Sequence, residues 1–246
     1  LRCSALPGLR ARLPLKSLLD VAWNECSTSS GIAARLALEY AVYLLYIWIR
    51  HITPLIWRRI LVRADNTLAD LHYIIQIAFS WTDFHLHRFR LRKKDFAIPR
   101  VEGFVDAHDA REVTLGVLRL RLNERFLYEY DFGDQWEHEV RVEQFLPLEA
   151  RRKYPVCIGG QRAGPPEDCG GPQAYDARRR ETPWRVEEIL DQLREALSAK
   201  DEDAVWDRVE ALRPWQEWLA LDTFDRRTVN RRLRQYGAGN DDWQWE

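Results

Sequence analysis

Apolar side chains run almost unbroken from residue 40 to residue 62, and their composition and alternation predict two strands there. Residues 40–52 are rich in β-branched and aromatic types, which suit a pleated, half-buried surface. After the Thr53-Pro54 break, residues 56–62 alternate: Trp57, Arg59 and Leu61 share one face, and Ile56, Arg58, Ile60 and Val62 share the other. The period then changes. Thr67 with Asp70 three residues later is a capping-box pattern, and Leu68, Leu71, Ile75, Ala78 and Phe79 fall on one helical stripe. Residues 84–92 return to strict alternation, with His85, His87, Phe89 and Leu91 opposite Phe84, Leu86, Arg88, Arg90 and Arg92, as in a half-exposed strand. Strands over 126–131 and 136–142 flank the turn Phe132-Gly133-Asp134-Gln135 and so form a hairpin. Its inward face carries Trp136, His138, Val140 and Val142, and its outward face Glu137, Glu139, Arg141 and Glu143.

Residues 97–112 read as a polar surface loop, and 113–120 as a short helix or turn under Thr114. From Pro147 the texture changes. Pro155, Gly159-Gly160, Gly164-Pro165-Pro166 and Gly170-Gly171-Pro172 argue against regular structure between them. Helical spacing resumes over 186–197 and 202–219, with a shorter helix near 226–234. The expected fold class is α+β: a mixed, largely antiparallel sheet with packed helices and a helical C-terminal extension. One domain spans 39–236, made of a sheet-rich part (39–146), a Cys/Gly/Pro loop (147–183) and a helical part (184–236), followed by a tail at 237–246. Residues 1–38 form a poorly supported N-terminal segment. The chain opens on Leu and holds no Met, which suggests an alternative start codon or a start placed elsewhere.

Composition narrows the function classes. With 46% hydrophobic residues in 246, the chain can bury a full core without disulfide or metal staples. Lys+Arg (37) nearly cancel Asp+Glu (38), so the long-range field of a general nucleic-acid binder is missing. The cysteines, Cys3, Cys26, Cys157 and Cys169, are too few for a disulfide scaffold and fit a reducing, cytoplasmic setting. The longest apolar run, residues 36–49, contains Glu39 and falls short of the roughly 20 residues a spanning helix needs. No membrane association and no export signal is expected.

Several phrases together resemble one family. They are Ile56-Trp57-Arg58-Arg59-Ile60 leading to Thr67-Leu68-Ala69-Asp70-Leu71-His72; Trp81-Thr82-Asp83 through His85-Leu86-His87-Arg88-Phe89; Tyr128-Glu129-Tyr130-Asp131-Phe132-Gly133-Asp134-Gln135-Trp136-Glu137-His138; and Tyr154-Pro155-Val156-Cys157 to Pro165-Pro166-Glu167-Asp168-Cys169-Gly170-Gly171-Pro172. In this order they are similar to the plasmid Ri open-reading-frame-three-like family, found on plasmids, in insertion sequences and in chromosomes. The resemblance implies an α+β fold and an uncharacterised, mobile-element-associated function. Gly164 departs from it, standing where relatives commonly carry a cysteine.

Candidate chemistry gathers in a few places. Asp131-Phe132-Gly133 matches the magnesium-binding turn of protein kinases, but no Gly-rich loop, strand lysine or His-Arg-Asp loop accompanies it. It reads instead as a hairpin turn, with Gly133 supplying a positive φ and Asp131 and Asp134 bonding turn amides. Cys157 and Cys169 with His85, His87 or His138 are candidate ligands for zinc or another divalent metal. Glu167 and Asp168, on a proline- and glycine-flanked loop, join Asp131 and Asp134 as candidate acid/base or Mg²⁺ groups. Arg88, Arg90 and Arg92 form the one local basic patch, with Arg58 or Arg59 beside it and Trp57, Trp81 and Phe84 as stacking faces. Trp206, Trp215 and Trp218 read as core anchors of the C-terminal helices, the alternative being a partner surface.

These features give three function classes. The leading one is a non-catalytic binding or interaction module, its surface made by Asp131, Asp134, Trp136, His138, Glu167 and Asp168 and its partner a protein or DNA. The second is a metal-dependent hydrolase or nuclease-like enzyme using Asp131, Asp134, His138, Glu167 and Asp168. The third is a weak DNA-binding accessory protein acting through Arg88, Arg90 and Arg92.

Overall fold

The structure, a computed structural model, describes residues 42–100, 106–240 and 243. The N-terminal segment with Cys3 and Cys26, and all of the 241–246 stretch except Trp243, lie outside the described residues. An eight-stranded sheet carries the molecule, in the order β5-β4-β3-β6-β7-β1-β2-β8. Its strands are β1 (Val42–Ile49), β2 (Trp57–Arg63), β3 (His87–Leu91), β4 (Lys94–Ala97), β5 (His108–Asp109), β6 (Arg125–Tyr130), β7 (Trp136–Leu146) and β8 (Val156–Gln161). Every pairing is antiparallel except β4 with β5, which is parallel. The expected mixed, largely antiparallel α+β class is therefore what forms.

The first helix, α1 (Leu68–Phe79), begins as its sequence predicts. Thr67 N–H donates to Asp70 Oδ2 at 2.7 Å, and Asp70 N–H donates to Thr67 Oγ1 at 3.0 Å. Leu71, Ile74, Ile75 and Ala78 are fully buried against the sheet's inner face, where Leu45, Ile47, Ile60, Val62, Phe89, Tyr128 and Val140 meet them. Burial of one such aliphatic side chain stabilises by about 1.5–3 kcal/mol, so this contact dominates the core. The helix stops at Ser80, whose backbone turns left-handed at φ 64 and sends Trp81-Thr82-Asp83 across the sheet toward β3.

Two loop expectations are corrected. Within 97–112, β4 and β5 form a short sheet edge, with Ala110 N–H donating to Ala97 O at 2.9 Å. The 147–183 segment, expected to be irregular, instead supplies β8 and the start of the long helix α2 (Gly171–Ala199). Gly159 and Gly160 both sit inside β8, and Gly160 is there because its neighbours leave no room above it: a Cβ would lie 2.4 Å from the Phe224 ring. Pro172 sits in the first turn of α2, where no intrahelical N–H is needed. Pro183 lies inside α2, and Thr182 Oγ1 there donates to Arg178 O at 2.8 Å.

Beyond α2 come α3 (Glu202–Leu212), a 3₁₀ turn (Arg213–Trp215), α4 (Gln216–Leu219) and α5 (Arg226–Gly237). Helix α5 closes one edge of the core. Val229 and Leu233 are buried, Asn230 exchanges two hydrogen bonds of 2.8 Å with the main chain of Cys157, and Tyr236 OH donates to Asp70 Oδ1 at 2.6 Å. Trp218 is buried as expected, but Trp206 is 67% exposed and Trp184 76%, so the outer part of the helical extension is not a core wall.

Candidate functional site

The turn after α1, the β6–β7 hairpin and the loop before α2 converge on one end of the sheet. Glu167 is the clamp. Its Oε2 accepts from Thr82 N–H at 3.1 Å and Thr82 Oγ1 at 2.5 Å, and its Oε1 accepts from Tyr130 OH at 2.6 Å. Trp81 Nε1 donates to Pro165 O at 2.8 Å beneath it. Gly164 is required at this junction, because a Cβ there would lie 1.9 Å from Phe79 O. A cysteine would meet the same carbonyl.

The hairpin turn differs in detail from its expectation. The positive φ angles fall on Asp131 (54°) and Gln135 (56°) rather than on Gly133. Asp131 Oδ1 accepts from the N–H groups of Gly133 (3.0 Å) and Asp134 (3.2 Å), an Asx-type turn. Asp134 bonds across to the other loop instead, accepting from Gly170 N–H at 2.9 Å. A Cβ on Gly171, at φ 79, would lie 2.3 Å from Asp134 O, so the two loops touch main chain to main chain.

These contacts leave one open group. His85 Nε2 stands 3.0 Å from Asp168 Oδ1 and 3.7 Å from Asp131 Oδ2. It is a buried atom, yet it makes no hydrogen bond of good geometry to either carboxylate. The three ligand-type atoms lie within 4.8 Å of one another. Asp168 is 76% exposed at its side chain, Asp131 11%. Phe84 and Phe132, the sequence neighbours of His85 and Asp131, are exposed at 76% and 40%.

A second group, which the sequence reading did not assemble, lies inside the core: His72, Asp83 and His87. Gln76 Nε2 donates to Tyr128 OH at 2.9 Å, Tyr128 OH lies 2.8 Å from His72 Nδ1, and His72 Nε2 lies 2.7 Å from Asp83 Oδ1. A Tyr128 proton given to Nδ1 and a His72 Nε2–H given to the carboxylate satisfy every member of that chain. Asp83 N–H donates to Gln76 Oε1 at 2.9 Å, and Arg100 pairs with the Asp83 carboxylate. The His87 ring stacks on His72 at 3.6 Å. Burial holds both imidazoles well below their usual 6.5 and pushes the Asp83 carboxyl up. Residue 72 could have been flagged from sequence, since its place on α1 puts it on the buried side beside Leu71 and Ile75.

The remaining candidates scatter. His138 and Trp136 are buried on the inward face predicted by alternation, at 0% and 1% exposure, and therefore cannot belong to the contact surface also expected of them. His138 is wedged between Phe79 (4.9 Å) and Trp81 (5.1 Å), neither ring nitrogen has a well-placed partner, and burial lowers its pKa to about 3. Cys157 is buried on β8 with its Sγ 3.3 Å from Gly159 O, and burial raises its thiol; Cys169 is pushed up to about 12 by burial and then by the Asp134 charge. Among the described residues, neither cysteine nor His138 joins a group of three metal-type ligands, whereas His85 and His87 fall into two separate ones.

The basic patch is compensated. Arg88 pairs with Glu129 at 2.5 Å and Asp95 at 3.0 Å, Arg90 with Asp95 at 3.4 Å, and Arg92 with Glu124 at 2.7 Å. Arg59 faces outward on Glu143 (2.6 Å), while Arg58 points inward, 1% exposed, donating to the carbonyls of Ala78, Trp57 and Gln161. Burial lowers the Arg58 pKa to about 9. Trp81, offered as a stacking face, is 1% exposed.

The chain is similar to other proteins. An uncharacterised protein, y4hQ, of Sinorhizobium fredii (strain NBRC 101917 / NGR234) is 35% identical over 136 residues, which are 55% of this chain and 70% of that one. The crystal structure of a protein of unknown function, MM3350 from Methanosarcina mazei Go1, superposes with a TM-score of 0.55 at 32% identity, over 76% of this chain and 96% of that one. Among the described residues no helix is long and apolar enough to cross a membrane. Residues 41–230 match the family described as plasmid pRiA4b ORF-3-like protein, and the chain belongs to it.

Proposed function

We propose that the chain is a non-catalytic binding module whose contact face is the end of the sheet where Phe84, His85, Phe132 and Asp168 lie together. One observation carries the reading: three sequence-distant loops are locked to each other by internal hydrogen bonds, and each of them carries an exposed side chain, Phe84, Phe132 and Asp168. Exposed aromatic side chains on a rigid support are what binding hot spots require. Most of the carboxylates an acid/base enzyme would draw on are already committed, Glu167 to three donors, Asp131 Oδ1 to two and Asp134 to one, which leaves Asp168 and Asp131 Oδ2. His138, with its pKa near 3, sits on the far side of Trp81 in the core and is a poor general base at neutral pH.

The experiment compares capture of interacting proteins from a host lysate by wild type and by Phe84→Ser/Phe132→Ser, with quantitative mass spectrometry. Loss of the specific partners in the double variant, at unchanged thermal stability, is the expected result. Equal capture by both proteins would remove this face from the binding reading. The enzyme reading keeps one observation in its favour, the His85–Asp131–Asp168 group; it requires turnover that depends on a divalent ion and disappears in Asp168→Ala. Accessory DNA binding has no comparable support, because Arg88, Arg90 and Arg92 each face a carboxylate. Neutralising all three is expected to leave DNA retention at low salt unchanged.

A further inference from the structure

We infer that His85, Asp131 and Asp168 form a site for one first-row divalent cation of the Zn²⁺ type, which ties the hairpin turn to the loop before α2. The inference deepens the proposal above and rests on its reading of that face as the binding surface. Three independent features support it. The first is spacing. A metal bound at about 2.1 Å by nitrogen and oxygen holds its ligand atoms about 3.0–3.4 Å apart at right-angle to tetrahedral geometry. The observed separations from Nε2, 3.0 and 3.7 Å, lie close to that range, and the three ligand atoms all fall within 4.8 Å of one another, so small side-chain rotations bring them onto one ion.

The second feature is the imidazole itself. A histidine used only as an ion-pair partner aims its N–H at the carboxylate, whereas the buried Nε2 of His85 meets neither in hydrogen-bond geometry. That atom needs a partner it does not find among the described residues. The third is charge. Among the described residues, Asp131 and Asp168 have no Arg or Lys within ion-pair distance, while Glu124, Glu129, Glu137, Glu139 and Glu143 on the sheet each have an arginine. Two carboxylates with no guanidinium or ammonium beside them make a local demand for positive charge that a divalent ion meets.

Orientation is built in for one of the ligands. Asp131 Oδ1 is fixed by the Gly133 and Asp134 amides, which turns Oδ2 toward His85, and a fixed outer shell of this kind raises metal affinity. Asp168 sits at φ 55 directly after the clamped Glu167. The closed group around His72 makes an instructive contrast, since there both ring nitrogens and the carboxylate are already partnered. Three protein ligands leave the remaining coordination positions open, which suits an ion that also takes a donor from a bound partner.

The test is isothermal titration of tag-free protein with Zn²⁺ alone, on wild type, His85→Ala, Asp168→Asn and the Cys157→Ala/Cys169→Ala pair. One equivalent is expected for wild type and the cysteine variant, with affinity lower by about tenfold or more in His85→Ala and in Asp168→Asn. Asp168 is largely exposed, so its variant tests the ligand without testing the fold. Binding that is unchanged in both His85→Ala and Asp168→Asn, or that is lost in the cysteine variant, would overturn the assignment, as would no binding to wild type. Zn²⁺ binding can fail while the Phe84→Ser/Phe132→Ser variant still loses its partners, so the two proposals are separable.

Discussion

Two histidine–aspartate groups interleave in sequence around the start of β3, and they have opposite fates. His72, Asp83 and His87 are sunk between α1 and the sheet, with Tyr128, Gln76 and Arg100 completing their hydrogen bonds. His85, Asp131 and Asp168 sit at the sheet's end with an unsatisfied ring nitrogen and uncompensated carboxylates. Residue type is the same in both; what differs is whether the surroundings supply the missing partners. A buried polar group must find them within the chain or destabilise the fold, so the first group belongs to folding. The second group, open to water on the Asp168 side, can wait for a ligand.

Acid is expected to break the folding group first and most strongly. His72, His87 and His138 are held neutral by burial, the last with a pKa near 3, whereas the same side chains in the unfolded chain titrate near 6.5. Below pH 6.5 the unfolded state therefore binds more protons. Stability is intact above pH 6.5 and falls as pH drops toward about 3, by up to about 1.4 kcal/mol per pH unit for each group. Asp83, shifted upward, takes up its proton earlier in the folded state and offsets part of the loss. Urea unfolding at pH 7.5, 6.0 and 5.0 measures this; a midpoint that holds constant would contradict the neutral, buried assignment.

Next in size is His72→Ala, which removes a partner of the Tyr128 hydroxyl and one donor to the Asp83 carboxylate at once and is expected to cost about 3 kcal/mol or more. The corresponding His85→Ala is expected to stay within about 1 kcal/mol of wild type, because that ring makes no well-formed hydrogen bond. Equal losses in chemical denaturation would erase the distinction between the groups. A smaller effect, about 1–3 kcal/mol, is expected for Gly164→Ala, whose Cβ must displace the Phe79 carbonyl and with it the loop that carries Asp168. Thermal unfolding reads that cost, and a weaker Zn²⁺ isotherm in the same variant would show that loop placement matters to the open site.

The sequence made some of this legible and hid the rest for physical reasons. Helix α1 announced itself through its capping box and apolar stripe, and the hairpin's inward row from Trp136 to Val142 followed from alternation. The pairing of the hairpin turn with the Glu167–Asp168 loop was also anticipated, and Asp134 to Gly170 realises it. Strand β8 was missed because glycine and proline signal a break locally, while here glycine is demanded by Phe224 and Arg58 lying over the strand. The buried His72 network was missed because it joins four segments that no spacing rule connects. His85 and His87 shared a face by alternation, yet β3 begins only at His87, so the two rings went to different groups.

The comparison is tested most directly by histidine side-chain ¹⁵N NMR spectra recorded before and after one equivalent of Zn²⁺. The chain has six histidines, so each ring can be assigned by substitution. The expected result is that the His85 ring signals move on metal addition while those of His72, His87 and His138 stay fixed. Movement of the buried rings with His85 unchanged, or no movement of any ring, would contradict the account.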